Sequence, residues 1–171
     1  MIMQLMHDLI FLAKNLLRSI MAKSNRNEGG ENMEQARLPV AEIKYGDNLL
    51  TIEYFKTYPE EAERGNPYNT TFLIRIISGA FSGYADCEYD IKEFSKFINQ
   101  LEEVYFFKRS EATLSDICYG SEVLFCSDRL GHLEISGTIF GEAAIQSLTF
   151  SFVADQTCLG DFIRTLKTYI E

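Results

Sequence analysis

The chain has no tryptophan, only two histidines and three prolines, and no uninterrupted apolar run of membrane-spanning length. Past Met33 a single histidine, His132, remains, which excludes a histidine-based metal cluster in that part of the chain. The four cysteines, Cys87, Cys118, Cys126 and Cys158, stand singly without a CxxC pair, so they read as reduced thiols and no metal is assigned. A secretory signal with a small-residue cleavage site is lacking, and the expected location is the cytoplasm. Asn69-Thr70-Thr71 fits a glycosylation sequon, but without export the motif carries little weight.

The signatures of catalysis are missing too. There is no GxSxG elbow, no P-loop and no GxGxxG fingerprint, and Gly79-Ala80-Phe81-Ser82-Gly83 reads as a hairpin connection. Gly131-His132-Leu133-Glu134 offers an acid/base pair in principle, yet it lies where a turn enters an alternating strand, an ordinary place for a polar histidine. Carboxylates are numerous, but glycosidase chemistry depends on their separation in space. The sequence therefore predicts a protein that is not an enzyme and uses no cofactor.

Positive charge is also scarce. Sixteen Lys plus Arg stand against 25 Asp plus Glu, a net charge of −9. Such a field repels a phosphate backbone and attracts a basic protein, so direct nucleic-acid binding is not expected and a basic partner is.

What is abundant is phenylalanine and tyrosine, 13 and 9 residues, in a chain that is 46% hydrophobic. That composition supplies a real core and favours β-structure. Residues 1–22 place Leu5, Leu9, Leu12, Leu16 and Ile20 at helical spacing, interrupted by Asp8, Lys14 and Arg18. This predicts an amphipathic helix with too little basic charge for membrane anchoring. Residues 23–32 contain no aliphatic or aromatic side chain and read as a flexible linker. Residues 33–171 then form a single domain. Glu28-Gly29-Gly30-Glu31-Asn32 can be encoded by a purine run containing a bacterial ribosome-binding sequence just before Met33, so residues 1–32 are expected to be a mis-annotated leader. Without them 22 acids face 12 bases, a net charge of −10.

Pro39–Tyr45 and Asn48–Tyr58 read as a hairpin turned at Gly46-Asp47, followed by a solvated loop to Asn69 that carries Glu60, Glu61 and Glu63. Strands are expected at Thr70–Ser78 and Phe81–Tyr89, the second alternating Ala85, Cys87 and Tyr89 with Asp86, Glu88 and Asp90. Asp90 is placed to cap a helix over Ile91–Phe107. After a connection over Ser110–Gly120, strands follow near Glu122–Ser127, His132–Phe140 and Ile145–Ala154, then a helix over Thr157–Ile170. The expected class is α+β: a mostly antiparallel sheet of about seven strands packed by two amphipathic helices, with no internal repeat. Two acidic surfaces are candidate partner sites. One comprises Asp86, Glu88, Asp90 and Glu93; the other comprises Glu60, Glu61 and Glu63.

Three stretches carry a family resemblance. Phe81-Ser82-Gly83 with Asp90-Ile91-Lys92-Glu93-Phe94 and Leu101, then Gly131-His132-Leu133-Glu134-Ile135-Ser136-Gly137, then Phe150-Ser151-Phe152-Val153-Ala154-Asp155-Gln156-Thr157-Cys158-Leu159, resemble in order the motifs of WapI-type bacterial immunity proteins. The similarity runs from Leu49 to Ile170. It implies a cytoplasmic antidote that neutralises the toxic C-terminal domain of a cognate polymorphic toxin, a nuclease in toxins of that type. Asp155 and Thr157 also have a structural reading, as caps of the last helix. A second functional reading, from a different class, is a non-catalytic adaptor or regulatory domain.

Overall fold

A computed structural model describes residues 40–141 and 144–171, so the expectations for residues 1–32 lie outside the described residues. The chain runs β1 (Ala41–Tyr45), β2 (Asn48–Thr57), α1 (Pro59–Glu63), β3 (Thr70–Ser78), β4 (Phe81–Tyr89), α2 (Ile91–Tyr105), β5 (Glu111–Ser115), β6 (Glu122–Ser127), β7 (His132–Phe140), β8 (Ser147–Asp155) and α3 (Cys158–Lys167). The α+β class and the antiparallel pairing are as expected. Their partition is not: the strands form two four-stranded sheets, β1-β2-β3-β4 and β5-β6-β7-β8, each a meander. There are eight strands and three helices among the described residues, because Glu111–Ser115 is a strand and Glu60, Glu61 and Glu63 lie on the short helix α1. With α1 set aside, the order is ββββα twice, a repeat in topology that residue patterns do not show.

Alternation decides which face of each strand is buried. In β4, Ala85, Cys87 and Tyr89 are buried while Asp86 is exposed and Glu88 half-buried. Phe94, Phe97, Ile98, Leu101 and Val104 form the buried stripe of α2, and Leu159, Phe162, Ile163 and Leu166 that of α3. Asp90 starts α2 as the pattern predicts, its Oδ1 accepting from the Lys92 N–H at 2.7 Å. Such a cap contributes about 1 kcal/mol.

Phe94 is the hub between helix and first sheet, its ring centroid 4.8 Å from that of Phe55, 5.3 Å from Phe72 and 5.9 Å from Tyr89. One turn on, Phe97 reaches Phe125 of β6 at 5.7 Å, and Phe125 reaches Phe162 at 6.1 Å. A continuous aromatic path thus joins the two repeats. The helices are seated reciprocally: α2 lies alongside β5 of the second repeat and α3 alongside β1 of the first. The Tyr169 hydroxyl fixes the latter contact, accepting from the Ala41 N–H at 2.9 Å and donating to the Ile52 carbonyl at 3.1 Å.

Candidate protein-binding face

The two inner faces of the sheets are filled by the core, so the surface available to a partner on the first sheet is its outer face. Cross-strand register builds that face row by row. Glu53, Leu73 and Asp86 stand abreast on β2, β3 and β4, and Thr51, Arg75 and Tyr84 form the next row. Arg75 is committed within it: its Nε donates to Glu53 Oε1 at 3.1 Å, and its guanidinium carbon lies 5.9 Å from the Tyr84 ring centroid. The Thr51 hydroxyl donates to the same Glu53 oxygen at 2.7 Å. The face therefore presents Tyr84, 59% exposed, beside the exposed carboxylate of Asp86.

A bulge interrupts β2 between Glu53 and Lys56. At this point Tyr54 takes φ 55°, a left-handed conformation costly for a bulky side chain, and is 62% exposed. A bulge re-aims side chains locally. It places an exposed tyrosine in β2 directly after Glu53.

Strand β4 is the edge of its sheet, and its far end is sealed. The Glu88 N–H donates to Asp116 Oδ1 at 2.7 Å, and the Glu88 carbonyl accepts from the Ile117 N–H at 3.1 Å. Asp116 is in turn braced by the Tyr119 N–H on its other oxygen at 2.5 Å. Close to these acids the buried Cys87 thiol is pushed well above its usual range, first by desolvation, then by the charges of Asp116 and Asp86.

The acidic residues singled out from sequence do not form one surface. Asp86 projects from the sheet, whereas Glu88 is half-buried. Asp90 is occupied at both oxygens, by the Lys92 N–H and by Asn69 Nδ2 at 3.1 Å, and so serves the helix start. Glu93 pairs with Lys96 at 2.6 Å one turn along α2. In the other group, Glu61 staples its own loop, accepting from Arg64 at 3.1 Å and from Asn66 Nδ2 at 2.8 Å, while Glu60 and Glu63 are exposed. The residues missed were Tyr84 and Tyr54. Tyr84 shares the outward parity of Asp86, a signal the alternation of β4 already contained; the Tyr54 bulge left none.

Other motifs prove to be structural ties. Asn69 of the sequon is buried, accepting from the Ile91 N–H at 2.8 Å and donating to the Asn66 carbonyl at 2.8 Å, so it joins the loop to the start of α2. Asp155 Oδ1 accepts from the Thr157 N–H at 2.8 Å and from its hydroxyl at 2.6 Å, and these bonds hold its carboxyl below the usual range. Thr157 itself makes no side-chain cap. His132 Nδ1 lies 2.6 Å from Asp128 Oδ2, while Glu134 accepts from the Ser151 hydroxyl at 3.0 Å, so the two are not paired with each other. No group of three metal-ligating side chains occurs among the described residues, and no helix among them is long and apolar enough to cross a membrane.

The fold thus defines the class, a doubled ββββα protein with an open outer sheet face. No protein-family model matches the chain, and no curated protein matches it. Among solved structures, the trypanosome MRP1/MRP2 crystal structures are similar at 10% identity and a TM-score of 0.49, with 89% of this chain and 92% of that chain covered.

Proposed function

We propose that the chain is an immunity protein that binds and neutralises the toxic C-terminal domain of a cognate polymorphic toxin, a basic nuclease domain, in the cytoplasm. The observation that carries the reading is the pairing of exposed Tyr84 with exposed Asp86 on an outer face whose arginine is already neutralised by Glu53. Tyrosine is enriched at the energetic centres of protein interfaces, and a neighbouring carboxylate selects a basic surface. The net charge of −9 acts in the same sense at longer range, drawing in a domain built to attract nucleic acid while repelling nucleic acid itself. The family resemblance supplies the kind of partner.

The test is co-expression with the C-terminal domain of any polymorphic toxin encoded in the neighbouring genes. The expected result is a complex that survives purification and cells that tolerate the toxin. If the domain neither binds nor is neutralised, the immunity reading is lost, and the adaptor reading takes its place.

A further inference from the structure

Parity along β4 shows which of its main-chain groups remain unpaired. In an antiparallel ladder, residues alternate between those that bond to their partner and those whose N–H and C=O point away from it. Glu88 bonds outward, to Asp116 and Ile117, so it belongs to the second kind. The register from Thr71↔Glu88 to Ile77↔Ser82 is unbroken, so Asp86, Tyr84 and Ser82 point their N–H and C=O outward as well. None of these groups meets a main-chain or side-chain partner among the described residues. All three residues are exposed.

Exposed edges are normally blunted by lysine, proline, a bulge or a covering element. The run Ser82-Gly83-Tyr84-Ala85-Asp86 has no lysine or proline, and its pairing with β3 has no bulge. At the other edge of the same sheet, the Ala41 N–H is taken by the Tyr169 hydroxyl. Among the described residues, the outward main-chain groups of Glu88 are taken by Asp116 and Ile117, which begin an additional rung on β4.

We infer that the free edge of β4 from Ser82 to Asp86 accepts an extended, lysine- or arginine-bearing segment of the partner as a fifth strand, continuing the rung begun at Glu88. This rests on the partner-binding reading and names the mode of docking. Main-chain bonds to Tyr84 and Asp86 supply the attachment, and the exposed carboxylate of Asp86 selects basic side chains. A second copy of the chain is disfavoured, since pairing β4 with β4 brings the same carboxylates together along one seam.

The experiment uses the full chain and labelled, capped hexapeptides alternating valine with lysine or valine with glutamate, followed by fluorescence anisotropy. The lysine peptide should bind at least about tenfold more tightly than the glutamate peptide at low salt. Tyr84→Pro deletes an outward N–H that no native bond uses, and it should bind the lysine peptide at least about fivefold more weakly than Tyr84→Ala. In the unmodified protein, hydrogen exchange at the Tyr84 and Asp86 amides should slow at least about tenfold in the presence of lysine peptide, a readout that does not depend on how the proline variant folds. Equal binding of the two peptides, no binding of the lysine peptide, unchanged exchange at both amides, or self-association through β4 would each overturn the inference. A toxin domain that binds Tyr84→Pro as tightly as Tyr84→Ala removes edge docking and leaves immunity standing. A lysine peptide that docks as described, with no encoded toxin domain binding, does the reverse.

Discussion

The side-chain amide of Gln156 donates to the main-chain carbonyl of Val104 at 3.1 Å and to that of Tyr105 at 3.0 Å, spanning more than fifty residues of sequence to close the end of α2. Its Oε1 accepts from the Ser127 hydroxyl at 2.9 Å, and its own N–H donates to the Gly131 carbonyl at 2.9 Å. One buried side chain thus joins the last turn of the first repeat's helix to β6. Gln156→Ala takes this partner from the Tyr105 carbonyl and the Ser127 hydroxyl, while the Val104 carbonyl keeps its bond from the Phe107 N–H and the main-chain bond to Gly131 stays. It should lower the unfolding free energy by about 1–3 kcal/mol in urea titrations.

Truncation of the aromatic hub should be costlier still. Phe94→Ala removes a fully buried ring from contact with Phe55, Phe72, Tyr89 and Phe97, and a loss of about 3–5 kcal/mol is expected. Phe162→Ala should fall in the same range. Denaturant midpoints that do not move would contradict the packing described.

Gly137 stands in β7 where an added Cβ would overlap the carbonyl oxygen of Glu122 on β6. That atom belongs to backbone and cannot swing aside. Gly137→Ala should therefore force the two strands apart and destabilise by about 3 kcal/mol, read as a lowered melting temperature.

Charge reversal separates the two acidic regions. Asp86→Lys should leave the unfolding transition unchanged and slow association with the proposed toxin partner roughly tenfold at low salt, the difference shrinking as salt rises. Glu60→Lys with Glu63→Lys on α1 should change the rate little. Stopped-flow kinetics at two ionic strengths decide between them, and the opposite ranking would move the docking site to α1.

Asp155 offers a pH signature. Its folded carboxyl is held low by Thr157, so the stability it contributes is fully present above the ordinary carboxylate range and is lost as pH falls through the folded value. Asp155→Asn should flatten that part of the acid limb, seen in denaturant midpoints followed from neutral pH down to roughly pH 3. An unchanged acid slope would show that other carboxylates set it.

Much of the secondary structure was legible because its patterns are local. The bounds of β3, β4, β6 and β7 coincide with those read from alternation, and α2 begins at Ile91 behind its Asp90 cap. Strand β5 escaped because Glu111–Ser115 contains only two buried residues, Ala112 and Leu114, too short a run to reveal a period. The division into two sheets depends on pairings and helix seats between distant segments, which composition does not encode. The candidate site suffered in a similar way. Asp90 and Glu61 look like surface acids in sequence, yet one caps a helix and the other staples a loop, and only their three-dimensional partners reveal it. Asn69 and Gln156 look like ordinary polar residues until burial shows the ties they make.

The reciprocal seating of the helices makes each half of the chain the missing wall of the other. A first half released on its own would keep β1 through α2 but expose the flank of β1 that α3 covers, together with the side of Phe97 that meets Phe125. The second half would lose the cover that α2 gives β5. Neither is a self-sufficient body, so the halves must melt as one. A nick between Tyr105 and Glu111 should yield fragments that stay mute apart and recover the fold when mixed, as two molecules would that had once been separate.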